Sequence, residues 1–254
     1  MKSQQVITPY THEGFVVKQT NLGVQSYDSE ELWSPDTAIW KSKVLDLGSP
    51  KFTPNKTYWF DRSRYCNHGT ITGGVWKQLP SGVWAMTFDG DDLISCGTHS
   101  SLLSFSNGVT VIGWIKLDAL GNHRGVVSNG PNAASWANHS YTLKINNTNV
   151  VESVLNDSTG AATCTGLTAL TAGRYYCVGM TYNFVNNIVY LDGRPDNSTA
   201  YTTAITASVS ATRIGKYRDG FFMLGKIGQL MVLSGVLSAE SHYQFYRATK
   251  WRYQ

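Results

Sequence analysis

A chain of 254 residues with a formal charge of +4, 42% hydrophobic and 15% charged, carries enough apolar mass for one large domain and is not a disordered polyelectrolyte. Its charged fraction lies well below the ~25% usual for globular chains, while 8 Trp, 14 Tyr and 24 Gly supply aromatic mass and turns, a balance that favours strands over helices. Lys and Arg are scattered, with the densest group at Arg247, Lys250 and Arg252. Nucleic acid, which needs a concentrated basic face, is therefore not an expected partner, and no stretch approaches the ~18 apolar residues of a membrane span.

Residues 1–49 read as an extended N-terminal arm. They hold three of the five Glu (Glu13, Glu30 and Glu31), show little alternation, and close with Trp40-Lys-Ser-Lys-Val-Leu-Asp-Leu-Gly48, a stretch compatible with one strand. Such an arm is expected to lie along its own domain or along a partner, as in a homo-oligomer or a set of virion subunits. The opening Met1-Lys-Ser-Gln-Gln5 lacks the apolar run of a secretory signal, so the expected setting is a virion or extracellular surface reached without a signal peptide in this chain. Pro50 and Pro54 mark the hinge into a second region, 50–254.

From there, short apolar runs alternate with turn signals. Strands are expected at 83–88, 93–96, 109–117, 125–128, 141–145, 150–155, 174–182, 187–191, 212–215 and 221–233. Between them stand Asp89-Gly90, Asn107-Gly108, Asn129-Gly130-Pro131, Asp192-Gly193 and Asp219-Gly220, pairs suited to the positive φ of tight hairpins. Val109-Thr-Val-Ile-Gly-Trp-Ile-Lys-Leu117 is apolar on both faces, the mark of a strand covered on each side; Gly113 and Gly179 inside strand patterns imply bulges or close backbone approach. One helix is expected, with Ser238 as N-cap, Glu240 in its first turn, and Tyr243 and Tyr246 on one face. Cys66, Cys96, Cys164 and Cys177 form no Cys-x-x-Cys pair, so buried free thiols are expected rather than a zinc knuckle. About ten strands at this spacing predict an all-β, two-sheet antiparallel sandwich or jelly roll with an N-terminal arm and one short C-terminal helix.

Asp61-Arg-Ser-Arg-Tyr-Cys-Asn67-His-Gly69-Thr70 is similar to the opening segment, and Ala85-Met-Thr-Phe88-Asp89-Gly90 to a Phe-Asp-Gly strand end, of the concanavalin A-like, laminin-G-like domains. Residues 109–117 resemble their central strand. Leu170 to Tyr182 followed by Val189-Tyr-Leu-Asp-Gly193 is similar to a characteristic hairpin. Ile214-Gly215, Phe222 with Gly225-Lys-Ile227, and Gly235-Val-Leu237-Ser-Ala-Glu240 match the closing strands and helix. Gly228-Gln229 stand where these domains commonly have Asp-Glu. The resemblance spans residues 57–246 and implies a jelly roll; its members include lectins, adhesion modules, virion proteins and a few glycanases, so it implies function only loosely.

Catalysis is not expected. The glycanases of this superfamily use a Glu-x-Asp-x-x-Glu strand, whose alternation sets two carboxylates on one face, and Glu13, Glu30, Glu31, Glu152 and Glu240 do not form it. Six His show neither His-x-His nor His-Glu-x-x-His spacing, so zinc is unsupported. A structural calcium is the one metal to weigh, with Asp61, Asn67, Asp89 and Asp92 as oxygen donors in turn segments; the competing reading has these side chains capping turns. For glycan or protein contact, exposed aromatic plates with amides and charges are needed. Two loops offer them: 129–139, through Asn132, Trp136 and His139, and 216–222, through Tyr217, Arg218 and Asp219. The expected function is a non-catalytic recognition or adhesion module. A purely structural virion component (a decoration, capsid or fibre protein) is the alternative, and a glycoside hydrolase is disfavoured.

Overall fold

The computed structural model describes residues 10–12, 15–17, 41–131, 139–157 and 160–254. β1 (Tyr10–His12) and β2 (Phe15–Val17) pair antiparallel, Tyr10 opposite Val17. The chain then runs through β3 (Lys43–Leu47), β4 (Tyr58–Trp59), β5 (Gly69–Thr72), β6 (Val75–Gln78), β7 (Trp84–Asp89) and β8 (Leu93–Ser95). β9 (Val109–Leu117), β10 (Arg124–Asn129), β11 (Tyr141–Ile145), β12 (Val150–Asn156) and β13 (Ala161–Ala169) follow. β14 (Tyr175–Tyr182), β15 (Asn186–Leu191), β16 (Arg194–Ala200), β17 (Thr212–Ile214) and β18 (Leu224–Leu233) lead to helix α1 (Ala239–Thr249). Among the described residues no helix is long and apolar enough to cross a membrane.

Two antiparallel sheets form the sandwich. The first has the order β13-β12-β11-β10-β17-β8-β5-β4, and the second β16-β15-β14-β9-β18-β7-β6. β18 is long enough to pair twice along one side, with β7 at Leu224–Ile227 and with β3 at Leu230–Leu233, while β9 runs along its other side. β3 and β7 thus stand end to end beside one strand, joined where the Trp84 amide donates to the Pro50 carbonyl at 2.8 Å.

The end of the segment read as an arm enters this pairing from Lys43. Val44, Leu45 and Leu47 are at most 2% exposed, because they fill the core through the second sheet; the segment from Lys43 pairs with the sandwich, and earlier in the chain β1 pairs with β2. Burying such side chains contributes roughly 1.5–3 kcal/mol each, which outweighs the entropy of ordering five residues only because β18 offers a ladder for them.

The main core lies between the sheets, with Phe88, Ile94, Val111, Ile115, Tyr141, Leu143, Met180 and Val232. A second cluster lies on the outer face of the second sheet under α1, where Ile112, Trp114, Cys177 and Met231 meet Phe245 and Tyr253. Strand alternation sends Val111 and Ile115 to one cluster and Ile112 and Trp114 to the other, which is why β9 reads as apolar on both faces. Trp114 is packed between Tyr246 and Tyr253, at 5.7 and 4.8 Å between centroids, and its Nε1 donates to Thr249 Oγ1 at 2.8 Å. Ser238 caps α1, its Oγ accepting from the Ser241 amide at 3.1 Å. A side chain at Gly113 would meet Leu230, and one at Gly179 would meet His242, the close approach expected at both. All four cysteines are free; Cys96, Cys164 and Cys177 are buried as expected, but Cys66 is exposed, because it sits at a left-handed turn position (φ 52°) in the loop before β5.

Candidate functional site

Of the two loops expected to bind a partner, the described ends of the first, 129–131 and His139, lie beside β17, which leads into the second. Arg213 Nη1, on β17, donates to the Gly130 carbonyl at 2.5 Å, and the Ser140 amide donates to the Asn129 carbonyl at 2.8 Å. Gly130 leaves the space into which the His139 ring packs. That packing corrects the expectation for His139, which is buried: burial, then the charges of Arg218 and Arg213, push it down to about 4. Tyr217 is likewise buried and is not an exposed plate. Its ring stacks on Phe221 at 5.1 Å and takes Lys144 Nζ against its face at 5.2 Å, so it closes a layer rather than offering one. Arg218 is half-buried and Asp219 exposed. Asn132 and Trp136 lie outside the described residues.

Beneath Tyr217 is a buried ion pair. Lys144 and Glu152 face each other across β11 and β12, and Glu152 Oε2 also accepts from Asn146 Nδ2 at 3.2 Å and Thr165 Oγ1 at 3.1 Å. Burial lowers the Lys144 ammonium, with Glu152 acting in the opposite sense. A carboxylate this fully engaged is a structural group, not a poised base.

The four expected calcium donors do not share one site. Asp61 and Asn67 stand at the Gly69 end of β5, and Asp92 at the Thr72 end, next to Gly73 and beside Leu93 of β8. Asp61 is turned inward: Oδ1 accepts the amides of Asp46 and Ser63 at 2.7 and 2.8 Å, and Oδ2 accepts Ser63 Oγ and the Asn67 amide, each at 2.7 Å. Asn67 Nδ2 donates to the Val44 carbonyl at 2.7 Å and Ser101 Oγ at 3.0 Å. This pair does what turn-capping side chains do, holding the β4–β5 loop against β3. At the other end Asp89, Asp91 and Asp92 bring carboxylate oxygens within 4.8 Å of one another. Asp92 Oδ2 accepts the Asp89 amide at 2.9 Å, and its acidity is weakened chiefly by burial.

A cleft not foreseen in the sequence opens where the two sheets end. β4 is the last strand of the first sheet and β6 the last of the second, and the segment leaving β3 through Pro50 and Pro54 folds across them. Its volume is about 470 Å³, and its walls include Phe52, Tyr58, Phe60, Trp76, Lys51 and Arg62. Local chemistry sets this shape. Asn55 Oδ1 accepts the amides of Thr57 and Tyr58 at 2.8 and 2.9 Å, a turn that starts β4. Alternation then buries Trp59 and turns its neighbours outward, Tyr58 at 43% and Phe60 at 51% exposure. Their ring centroids lie 6.3 Å apart with planes 32° from parallel, two adjacent faces open to solvent.

The floor is rigid. Trp59 Nε1 donates to the Gly48 carbonyl at 2.9 Å and Trp76 Nε1 to the Asn55 carbonyl at 2.8 Å. Phe60 is braced edge-on by His68 at 5.2 Å, and Phe52 projects at 86% exposure. The Arg62 guanidinium lies where a Cβ on Gly48 would stand, its Nη2 2.9 Å from Asp46 Oδ1. The available signal was Tyr58-Trp59-Phe60 between Pro54 and a polar turn, three aromatics of which a strand can bury only one or two.

The profile of the concanavalin A-like lectin/glucanases superfamily matches residues 88–241, more than half of the chain. No curated protein matches it. Among solved structures, the binding domain of Paraclostridial Mosquitocidal Protein 1 superposes with a TM-score of 0.66 at 12% identity, over 81% of this chain and 52% of that one. Trypanosoma rangeli sialidase gives 0.61 at 13% identity, over 84% and 34%. Botulinum neurotoxin type C, whose cell entry depends on interaction with two ganglioside molecules, gives 0.56 at 15% identity, over 83% and 52%. The chain thus spans about half of the two toxin chains and a third of the sialidase, and at these identities the likeness is one of fold.

Proposed function

The chain belongs to the concanavalin A-like lectin/glucanases superfamily, and from that premise we propose that it is a non-catalytic recognition module binding glycans through the cleft between the sheet edges. The observation that carries this reading is the outward, braced presentation of Tyr58 and Phe60 beside Phe52. Aromatic faces pack against the C–H faces of sugar rings, and nearby amides and charges take the hydroxyls. Asn55, Lys51 and Arg62 supply those groups here. The toxin neighbours are binding domains or depend on gangliosides for entry, which supports the reading.

Two of the five glutamates fall among the described residues. Glu152 is saturated by Lys144, Asn146 and Thr165, and Glu240 pairs with Gln244 on α1; neither is arranged for glycoside cleavage, which needs an acid and a second carboxylate across the bond. In this reading the module is displayed on a virion or extracellular surface.

A glycan array tests the proposal. The wild-type protein should give saturable binding, and Phe60→Ala should weaken it at least tenfold with an unchanged unfolding midpoint. Binding that survives both Phe60→Ala and Tyr58→Ala would place recognition elsewhere, and a blank array would refute it.

A further inference from the structure

We infer that the cleft selects anionic over neutral saccharides, an inference that rests on the glycan-binding reading above and narrows its ligand class. The argument is one of charge. From Leu47 to Phe88, the stretch that builds the cleft, the chain carries Lys51, Lys56, Arg62, Arg64 and Lys77 and a single carboxylate, Asp61. All five cations are exposed. Asp61 is buried and spends both oxygens on four hydrogen bonds. The other acid within reach, Asp46, is also buried and is held by Lys43 at 2.7 Å and Arg62 at 2.9 Å. No carboxylate on these segments therefore faces the cleft mouth to neutralise its rim.

Lys51 lines the cleft and Lys56 lies on the turn entering β4; neither has a hydrogen-bond or ion-pair partner among the described residues. Their side chains are exposed, able to meet an anion without first breaking a contact. Arg62 is fixed by Asp46 across Gly48, so it contributes a positioned positive charge rather than a roaming one. A sugar ring seated on Tyr58 and Phe60 would bring an acidic substituent towards these groups.

Carboxylates and sulfates share this chemistry. A nucleic-acid strand would also find rings and cations, but its affinity comes from a basic groove that tracks several successive phosphates, whereas the aromatic faces here span one short cleft of about 470 Å³.

The experiment compares matched saccharide pairs by titration calorimetry with the full chain: oligogalacturonate against its methyl ester, sialyllactose against lactose, and a sulfated dextran oligosaccharide against the unsulfated one. A single-stranded oligonucleotide serves as a competitor class. The expected result is that at least one anionic member binds roughly five- to tenfold tighter than its neutral partner at 0.05 M salt. That gap should close at about 0.5 M salt, where screening is short-ranged. The double variant Lys51→Gln/Lys56→Gln should narrow the gap, and Phe60→Ala should weaken both members together.

If neutral and anionic members bind equally, the charge inference is overturned and the glycan-binding reading stands. The charge inference is overturned in the same way if the oligonucleotide binds more tightly than every saccharide, or if the double variant keeps the full preference. If no member of any pair binds, the glycan-binding reading fails and this inference fails with it.

Discussion

Trp59 and Trp76 meet edge to face, ring centroids 5.0 Å apart and planes at 73°, a contact between the last strand of one sheet and the last strand of the other. Trp59 belongs to the buried core, whereas Trp76 is partly exposed and its ring nitrogen reaches over to Asn55. The cleft floor and the end of the sandwich are therefore the same structure, and binding and stability separate cleanly only at the residues that point away from it.

Trp59→Ala should cost about 3–5 kcal/mol, as for other large core truncations. Trp76→Phe keeps most of the ring contact and loses the hydrogen bond to the Asn55 carbonyl, costing about 1 kcal/mol. Urea unfolding of the two variants checks the ranking; equal effects would mean that the hydrogen bond, and not the core ring, holds the edge.

The Lys144–Glu152 pair makes a prediction about the first sheet. Both side chains are largely buried, at 3% and 14% exposure, so removing one partner strands the other. Lys144→Met alone should destabilise by about 3–5 kcal/mol, while Lys144→Met with Glu152→Leu should recover most of that loss. A double-mutant cycle from denaturant midpoints measures the coupling.

His242 sets a pH dependence. It is fully buried, stacked on Tyr190 at 3.7 Å with Nε2 2.9 Å from Thr181 Oγ1, and burial pushes it down to about 3. The folded protein keeps it neutral, while the unfolded chain takes up a proton near pH ~6.5. Stability should therefore fall as pH drops from about 6.5 towards 3, by about 1.4 kcal/mol per pH unit from this residue. His139, held near 4, acts in the same direction. His242→Gln should flatten the profile between pH 6.5 and 4.5 relative to wild type, as read by thermal unfolding in matched buffers.

Asp61 offers a test that separates turn-capping from metal binding. If its role is to accept four hydrogen bonds that tie β3 to the β4–β5 loop, Asp61→Ala should cost about 3 kcal/mol, and the loss should be the same in calcium and in chelator. A calcium-dependent midpoint in the wild-type protein that vanishes in Asp61→Ala would instead assign the residue to a metal.

What could be read in advance follows burial. β9 and β11 run over the residues expected from their apolar runs, 109–117 and 141–145, because strands covered on both faces admit almost nothing but apolar side chains. β1, β2, β4, β5, β6, β13 and β16 were not foreseen. All but β5 are outermost strands, and Arg-Pro-Asp-Asn-Ser-Thr-Ala in β16 has no fully buried residue; an edge strand exposed on one side carries a loop's composition, and β5, though paired on both sides, fully buries only Gly69. The departure at Gly228-Gln229 has a local reason as well. A side chain at Gly228 would strike the Tyr253 ring, and Gln229, fully buried, accepts from Arg252 Nη1 at 2.9 Å, so these residues seat the C-terminal tail.

The amino-acid sequence by itself determined the class of the fold, its central strands, its hairpin turns and its capped helix, because periodicity, φ preference and capping act over a few neighbouring residues. Tertiary structure alone decided that Lys43–Leu47 completes the second sheet, that His139 and Tyr217 are buried, and that Phe52, Tyr58, Phe60 and Trp76 share one cleft. Each of those outcomes depends on which distant strand lies alongside, and a residue's exposure is a property of its neighbours in space rather than of its neighbours in the chain.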